Sequence, residues 1–209
     1  MMITKVLCWN CRGFSERNTF VHIFKIMWIH KPSLVYLVET RANSEHIDRF
    51  LSKFPHSWDW AAIEVDGFSG GIFNFWNKNI RHVTPLAVSR RALHIVVSSS
   101  IFKACIVSVV YISTISSNQC FFWHELSKIS HLHFPWLIIG DFNAVLSKHE
   151  FKGGNFSYYD RKAHFFKDFV DLNNLLDLNY SGPPFTWCNK QNGPARRWAK
   201  LDRCLVNLD

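Results

Sequence analysis

Between residues 58 and 112 the chain carries five strand-length segments in succession, and segments of helical period lie on either side of them. The five segments are 58–65, 71–76, 81–86, 92–98 and 102–112. Asp66-Gly67, Asn77 to Asn79 and Ser98 to Ser100 supply the turns. Upstream, a strand at 3–9 ends at Asn10-Cys11-Arg12-Gly13. A helix follows with Phe20, Ile23, Phe24 and Met27 at i, i+3, i+4 and i+7, and Pro32 stops it. A short apolar strand, 34–38, leads to a second helix with Ile47, Phe50, Leu51 and Phe54 on one face and Asn43 or Ser44 as its cap. Downstream come a helix over 118–131, a fully apolar strand at 136–139, and a helix over 160–176 with Phe166, Phe169 and Val170 on its face. Closing strands at 184–187 and 198–206 complete the pattern. A run of strands must bury its faces, and the helices before and after it supply covers. The pattern predicts an α/β fold, a four-layer sandwich of two packed mixed sheets flanked by helices. No repeat or biased segment divides the chain, so residues 1–209 read as a single domain.

With 48% hydrophobic and 19% charged residues, the 209-residue chain has globular rather than disordered composition. The net charge of +8 and an aromatic content of 16% point to a polyanionic partner, with nucleic acid the obvious one. The N-terminus lacks a basic and apolar leader, and no stretch approaches the ~18 apolar residues of a membrane span. Cys8 and Cys11 form one Cys-x-x-Cys, but no second pair follows at zinc spacing. The six cysteines therefore read as reduced, mostly buried thiols of an intracellular protein.

Four places put polar groups at the end of an apolar strand: Asn10, Glu39, Tyr111, and Gly140-Asp141-Phe142-Asn143. Strand ends carry side chains into a crevice while the strands hold them rigid. Taken singly, each has a plainer reading. Glu39 suits a solvated loop, the Gly-Asp-Phe-Asn suits an Asx turn, and Tyr111 suits the core. Their order along the chain carries more weight than any one of them.

That order resembles the endonuclease/exonuclease/phosphatase superfamily, over almost the whole chain. Trp9-Asn10-Cys11-Arg12-Gly13 is similar to its opening Asn motif and Val38-Glu39-Thr40 to its metal-binding Glu motif. Ser69-Gly70-Gly71-Ile72 is similar to its glycine turn, and Val110-Tyr111 to its active-site Tyr strand. Gly140-Asp141-Phe142-Asn143 is similar to its catalytic Asp-x-Asn. Phe185-Thr186-Trp187 followed by Leu201-Asp202-Arg203, with Glu150-x-x-Gly153-Gly154, most resembles the endonucleases of plant-type non-LTR (LINE) retrotransposons. The resemblance implies a Mg²⁺ held by Glu39 with help from Asn10, Mn²⁺ being a possible substitute. It implies Asp141 as the base for the attacking water, and Asn143 and Tyr111 as donors to phosphate oxygens. Asp202 would pair with and orient a histidine on a last strand.

That histidine is the departure from the pattern. All eleven histidines lie at or before His164, and the family's closing Ser-Asp-His is not in these residues. On this reading the last strand is missing and the active site is damaged. The substrate implied is DNA, nicked at a phosphodiester by a monomer once fused to a reverse transcriptase, with the nucleus as its place of work. No run of four basic residues marks import. Arg12, Arg90, Arg91, Arg196 and Arg197, with Trp198 beside the last pair, are candidate DNA contacts, and Arg161-Lys162 is a further basic pair. Two rival readings stand beside this one: a small-molecule phosphatase of the same fold, and a non-catalytic nucleic-acid-binding remnant.

Overall fold

A computed structural model describes residues 5–13, 17–42, 44–63, 71–80, 82–89, 91–98, 104–154 and 157–207. Among the described residues the fold is an α/β sandwich of two mixed sheets, a third small sheet and four α-helices, as the strand and helix pattern predicts. The chain divides into two compact units, Met1–Tyr111 and Ile112–Asp209. No helix among the described residues is long and apolar enough to cross a membrane.

The first unit runs β1 (Val6–Asn10), α1 (Arg17–His30), β2 (Leu34–Val38), α2 (Ser44–Leu51), β3 (Trp58–Ile63), β4 (Ile72–Asn77), β5 (His82–Ser89), β6 (Ala92–Ser98) and β7 (Cys105–Tyr111). The order in its first sheet is β1-β2-β4-β3, with β1 and β2 parallel and the other pairs antiparallel. All five residues of β2 are buried, which is why Leu34 to Val38 is a continuous apolar run and not an alternating one. One face of this sheet is covered by α1 and α2. Phe50 of α2 is the hub, with ring centroids 4.9 to 5.9 Å from Phe20, Phe24, Phe54, Phe73 and Phe75. Each such aromatic pair adds about 0.5–1.5 kcal/mol beyond area burial, so the phenylalanine-rich composition is spent on this layer. β5, β6 and β7 form an antiparallel meander, with β2 packed against β7 and β3 against β5. Pro85, which lacks an N–H, stands at a register shift in β5.

The second unit runs α3 (Ser116–Ser130), β8 (Trp136–Asp141), β9 (Phe151–Lys152), α4 (Ser157–Leu172), β10 (Leu176–Asp177), β11 (Trp187–Cys188), β12 (Trp198–Ala199) and β13 (Asp202–Val206). β13 lies antiparallel between β8 and β10, and β11, β12 and β9 form a small antiparallel sheet. Trp123 of α3 stacks at 5.0 Å on both Phe166 and Phe169 of α4, which closes the helical side of this core.

Three expectations are corrected here. The helix expected to reach residue 176 ends at Leu172. Asn174 takes a left-handed φ of 50°, and Leu175 N–H bonds Val170 O at 3.0 Å, closing the helix as a Schellman turn. The strand expected over 198–206 is two strands in different sheets. At the break, Lys200 N–H bonds Glu150 O, and the N–H groups of Leu201 and Asp202 both donate to Thr186 Oγ1 at 3.0 Å. The strand expected at 184–187 begins only at Trp187, because Pro183 and Pro184 have no N–H to give a ladder. Asp66-Gly67, Ser69-Gly70 and the Asn43 cap lie outside the described residues.

Candidate active site

In the first unit the parallel register pairs Asn10 with Val38, so Asn10 ends β1 beside the residue that precedes Glu39. The two strand ends are tied past the ladder: Cys11 N–H bonds Val38 O at 3.1 Å, and Gly13 N–H bonds Glu39 O at 2.9 Å. The Cys11 thiol also donates to Val38 O at 3.4 Å. Burial, with smaller opposing contributions, pushes that thiol up to about 11, so it is a neutral donor and not a thiolate ligand. Among the described residues no three His, Cys, Asp or Glu side chains cluster for a metal. The six cysteines form no disulfide; five are half-buried and Cys120 is exposed, which corrects the expectation of mostly buried thiols.

Glu39 is 8% exposed and has φ 56°. Left-handed backbone at glutamate is uncommon and costs about 1–2 kcal/mol. Arg12 and Arg41 also have positive φ, at 50° and 49°. Three such residues, Arg12, Glu39 and Arg41, stand where β1 and β2 end, the kind of clustered strain that marks a working site. The Arg41 guanidinium is ion-paired with Glu39 at Oε1. Asn10 Oδ1 accepts the Arg12 N–H at 3.3 Å, and Thr40 N–H reaches Gly71 O at 3.3 Å. A carboxylate and an amide oxygen suit a hard divalent cation that takes one or two protein oxygens and keeps its waters. Tyr111 ends β7. Its N–H bonds Arg91 O at 3.0 Å, and the Arg91 guanidinium lies 6.0 Å from its ring centroid. Arg90 lies outside the described residues.

In the second unit β8 delivers Asp141 and Asn143. Gly140, with φ 144° in the last turn of this strand, permits a conformation that side chains rarely adopt. Asp141 Oδ1 accepts the Asn143 N–H at 2.9 Å, so the Asx turn is real and sits inside the motif. Asn143 holds φ 46° and donates from Nδ2 to Ile112 O at 2.8 Å. Phe142, fully buried, bonds Leu201 O through its N–H. Asp202 is register partner to Asp141 across β13 and β8. Like charges directly opposed on neighbouring strands repel.

Behind Asp202 stands a buried ion network. Arg203, its side chain fully buried, donates to Glu150 at 2.7 and 3.2 Å and to Asp177 at 2.7 Å, while Lys200 holds Asp177 at 2.7 Å. Burial pushes the Glu150 carboxyl up, but Arg203 and further donors outweigh it, and the net shift is downward. Gly153 and Gly154 let this loop touch the next one. A Cβ on Gly153 would stand 2.1 Å from Arg196 O, and one on Gly154 2.7 Å from Arg197 Nε.

Arg196 and Arg197 are exposed on the loop that joins β11 to β12. The Asn189 side chain ties that loop to Ala195 O and Arg197 N–H, and Arg196 Nε donates to Gln191 O. Arg196 lies 5.9 Å from the Trp198 ring centroid. Trp198, Phe185, Pro183, Pro184 and Lys152 line an open cavity of about 320 Å³. Lys162 does not belong to this surface. It is 3% exposed, and its Nζ donates to Thr114 O at 2.5 Å, which corrects the reading of Arg161-Lys162 as a basic surface pair. Sequence reasoning also passed over Arg41 and Gln119. Arg41 stands two residues after Glu39, and Gln119 is a polar residue on the buried face of a helix, so each left a weak signal.

No family model matches the chain. No curated protein matches it either. Solved structures do. The endonuclease domain of TRAS1, a telomere-specific non-LTR retrotransposon, aligns at a TM-score of 0.74 and 12% identity, over 99% of this chain and 86% of that one. The 3′ phosphatase NExo from Neisseria, bound to a product DNA hairpin, aligns at 0.72 and 14%, over 99% and 87%. The AP endonuclease LMAP from Leishmania major aligns at 0.72 and 14%, over 98% and 79%. The chain has the endonuclease/exonuclease/phosphatase fold. At these identities the likeness establishes the backbone arrangement; what the side chains do has to be argued from the chain's own residues.

Proposed function

We propose that the chain is a divalent-cation-dependent phosphodiester hydrolase that nicks DNA, of the kind retroelements carry. The observation that supports it most is the buried, strained Glu39 beside Asn10, together with an Asp141-Phe142-Asn143 turn locked by its own hydrogen bonds. Both stand on the fold of an endonuclease domain, an AP endonuclease and a phosphatase seen with DNA. Glu39 and Asn10 are the residues that would hold Mg²⁺, or Mn²⁺ in its place. When bound, the ion supplies Lewis-acid polarisation of the phosphate and offsets its growing charge. Asp141 takes the proton of the attacking water. Asn143, with a second N–H on Nδ2 beyond the one given to Ile112 O, and Tyr111 donate to the phosphate oxygens.

Arg12, Arg90 and Arg91 in the first unit, and Arg196, Arg197 and Trp198 in the second, are assigned to DNA. The arginines would meet phosphates, and Trp198 offers an aromatic face worth about 1–3 kcal/mol to a stacked base. The reading treats the chain as one monomeric domain, at work in the nucleus and tied to a reverse transcriptase. Asp202 is assigned to orienting a histidine.

Incubation with supercoiled plasmid tests the proposal. It predicts conversion to nicked circles with Mg²⁺, none with EDTA, and no hydrolysis of small phosphomonoesters. Phosphomonoester hydrolysis without nicking would replace it with the small-molecule phosphatase. DNA binding without any cleavage would replace it with the non-catalytic remnant.

A further inference from the structure

The segment that opens the second unit has no ladder on which to place its carbonyls, and side chains take them instead. Ile112 O accepts from Asn143 Nδ2 at 2.8 Å, Ser113 O from Gln119 Nε2 at 2.7 Å, and Thr114 O from Lys162 Nζ at 2.5 Å. Three consecutive carbonyls are thus held by three different elements. Gln119 does more than its share. Its Nε2 also reaches Asn143 O at 3.2 Å, so one amide group spans the Ser113 backbone and the Asn143 backbone. The side chain is 0% exposed in the first turns of α3, and its Oε1 is buried with no hydrogen-bond partner. An unsatisfied buried acceptor lowers stability, and an apolar side chain of the same size would avoid that cost. What the amide supplies in return is the pair of donated bonds.

Those bonds act where the backbone is least willing. Asn143 sits at φ 46°, and its N–H is already committed to Asp141 Oδ1. Fixing Asn143 O from the far side stops the turn from relaxing, which would swing both the Asn143 amide and the Asp141 carboxylate. We infer that Gln119 is a positioning residue for cleavage, clamping the Asp141-Phe142-Asn143 turn through Asn143 O and Ser113 O without touching the substrate. This rests on the reading of Asp141 and Asn143 as the groups that do the chemistry. Displacing a reacting group by about 1 Å costs on the order of 10² in rate, whereas substrate affinity, set elsewhere, changes little.

Gln119→Met keeps the volume and removes both bonds. The expected result, well below the melting temperature and with circular dichroism matching wild type, is a fall in kcat of about 10- to 100-fold at unchanged KM. Amide exchange at Asn143 should quicken at least about tenfold, while exchange at Ile138 and Ile139 in β8 stays as it was. Gln119→Glu, whose carboxylate would face two carbonyls, should show the same split. A merely structural role would lower the melting temperature and leave kcat and Asn143 exchange alone. Wild-type kcat in Gln119→Met, with Asp141→Asn inactive, overturns this inference and leaves the nuclease reading standing. Unchanged Asn143 exchange overturns it as well. A wild-type chain that never cuts DNA removes the nuclease reading, and this inference with it.

Discussion

Single residues carry the sharpest consequences. Glu39 holds a left-handed backbone, burial and an arginine partner at once, and none of the three serves the core. Glu39→Gln keeps the shape and removes the charge, so nicking should fall by at least ~10² while the unfolding free energy stays within about 1 kcal/mol of wild type. His94 offers a pH test. Burial lowers its pKa to about 4, and its Nδ1 lies 2.6 Å from Ser108 Oγ between neighbouring strands. The unfolded chain takes up a proton near pH 6.5 that the folded chain refuses until about pH 4. Stability should therefore decline as pH falls through that window, at up to about 1.4 kcal/mol per unit from this group. Urea titrations from pH 7 to pH 4.5 should show the slope, and His94→Gln should flatten it. Asn10, Glu39, Asp141 and Asn143 stand out in the sequence because each is polar at or just past the end of an apolar run. Gln119 and Lys162 do not, because their roles depend on which carbonyls the fold leaves without a ladder.

Elements account for the motifs that sequence could match but not explain. Thr186 is paired in the pattern with Leu201-Asp202-Arg203 because its hydroxyl receives two N–H groups at the break between β12 and β13. Thr186→Val should cost about 1–3 kcal/mol in chemical denaturation, through donors left unsatisfied. Glu150 and the two glycines after it belong together for a related reason. The carboxylate anchors Arg203, and the bare Gly153 lets the loop meet Arg196 O. Gly153→Ala puts a Cβ against backbone at positive φ, so it should displace the β11–β12 loop and weaken duplex binding in a mobility-shift titration while the melting of the domain stays cooperative. Helices and long strands were readable from period. The two-residue strands β9 and β10 were not, since hydrophobic period needs more residues than they have, and β12 was read as one strand with β13.

For the whole molecule, the charge of +8 becomes a quantitative statement once DNA is the partner. If the five assigned arginines meet phosphates, the logarithm of the binding constant should fall with the logarithm of salt at a slope of about −4 to −5, and each Arg→Ala should flatten it by about one unit. A slope near zero would detach the charge from the proposed partner. The fold was legible from the sequence because the block of strands and its helical covers leave few packed arrangements. The division into two compact units was not, since no shift in composition marks Tyr111. The proposed function requires both the Glu39 carboxylate and the Asp141 carboxylate for phosphodiester cleavage. Its most direct test is the single-turnover nicking rate of supercoiled plasmid in Mg²⁺ for wild type, Glu39→Gln and Asp141→Asn side by side. The account predicts measurable wild-type cleavage and a loss of at least ~10² in each variant, with DNA affinity retained. Equal rates in all three proteins would contradict it.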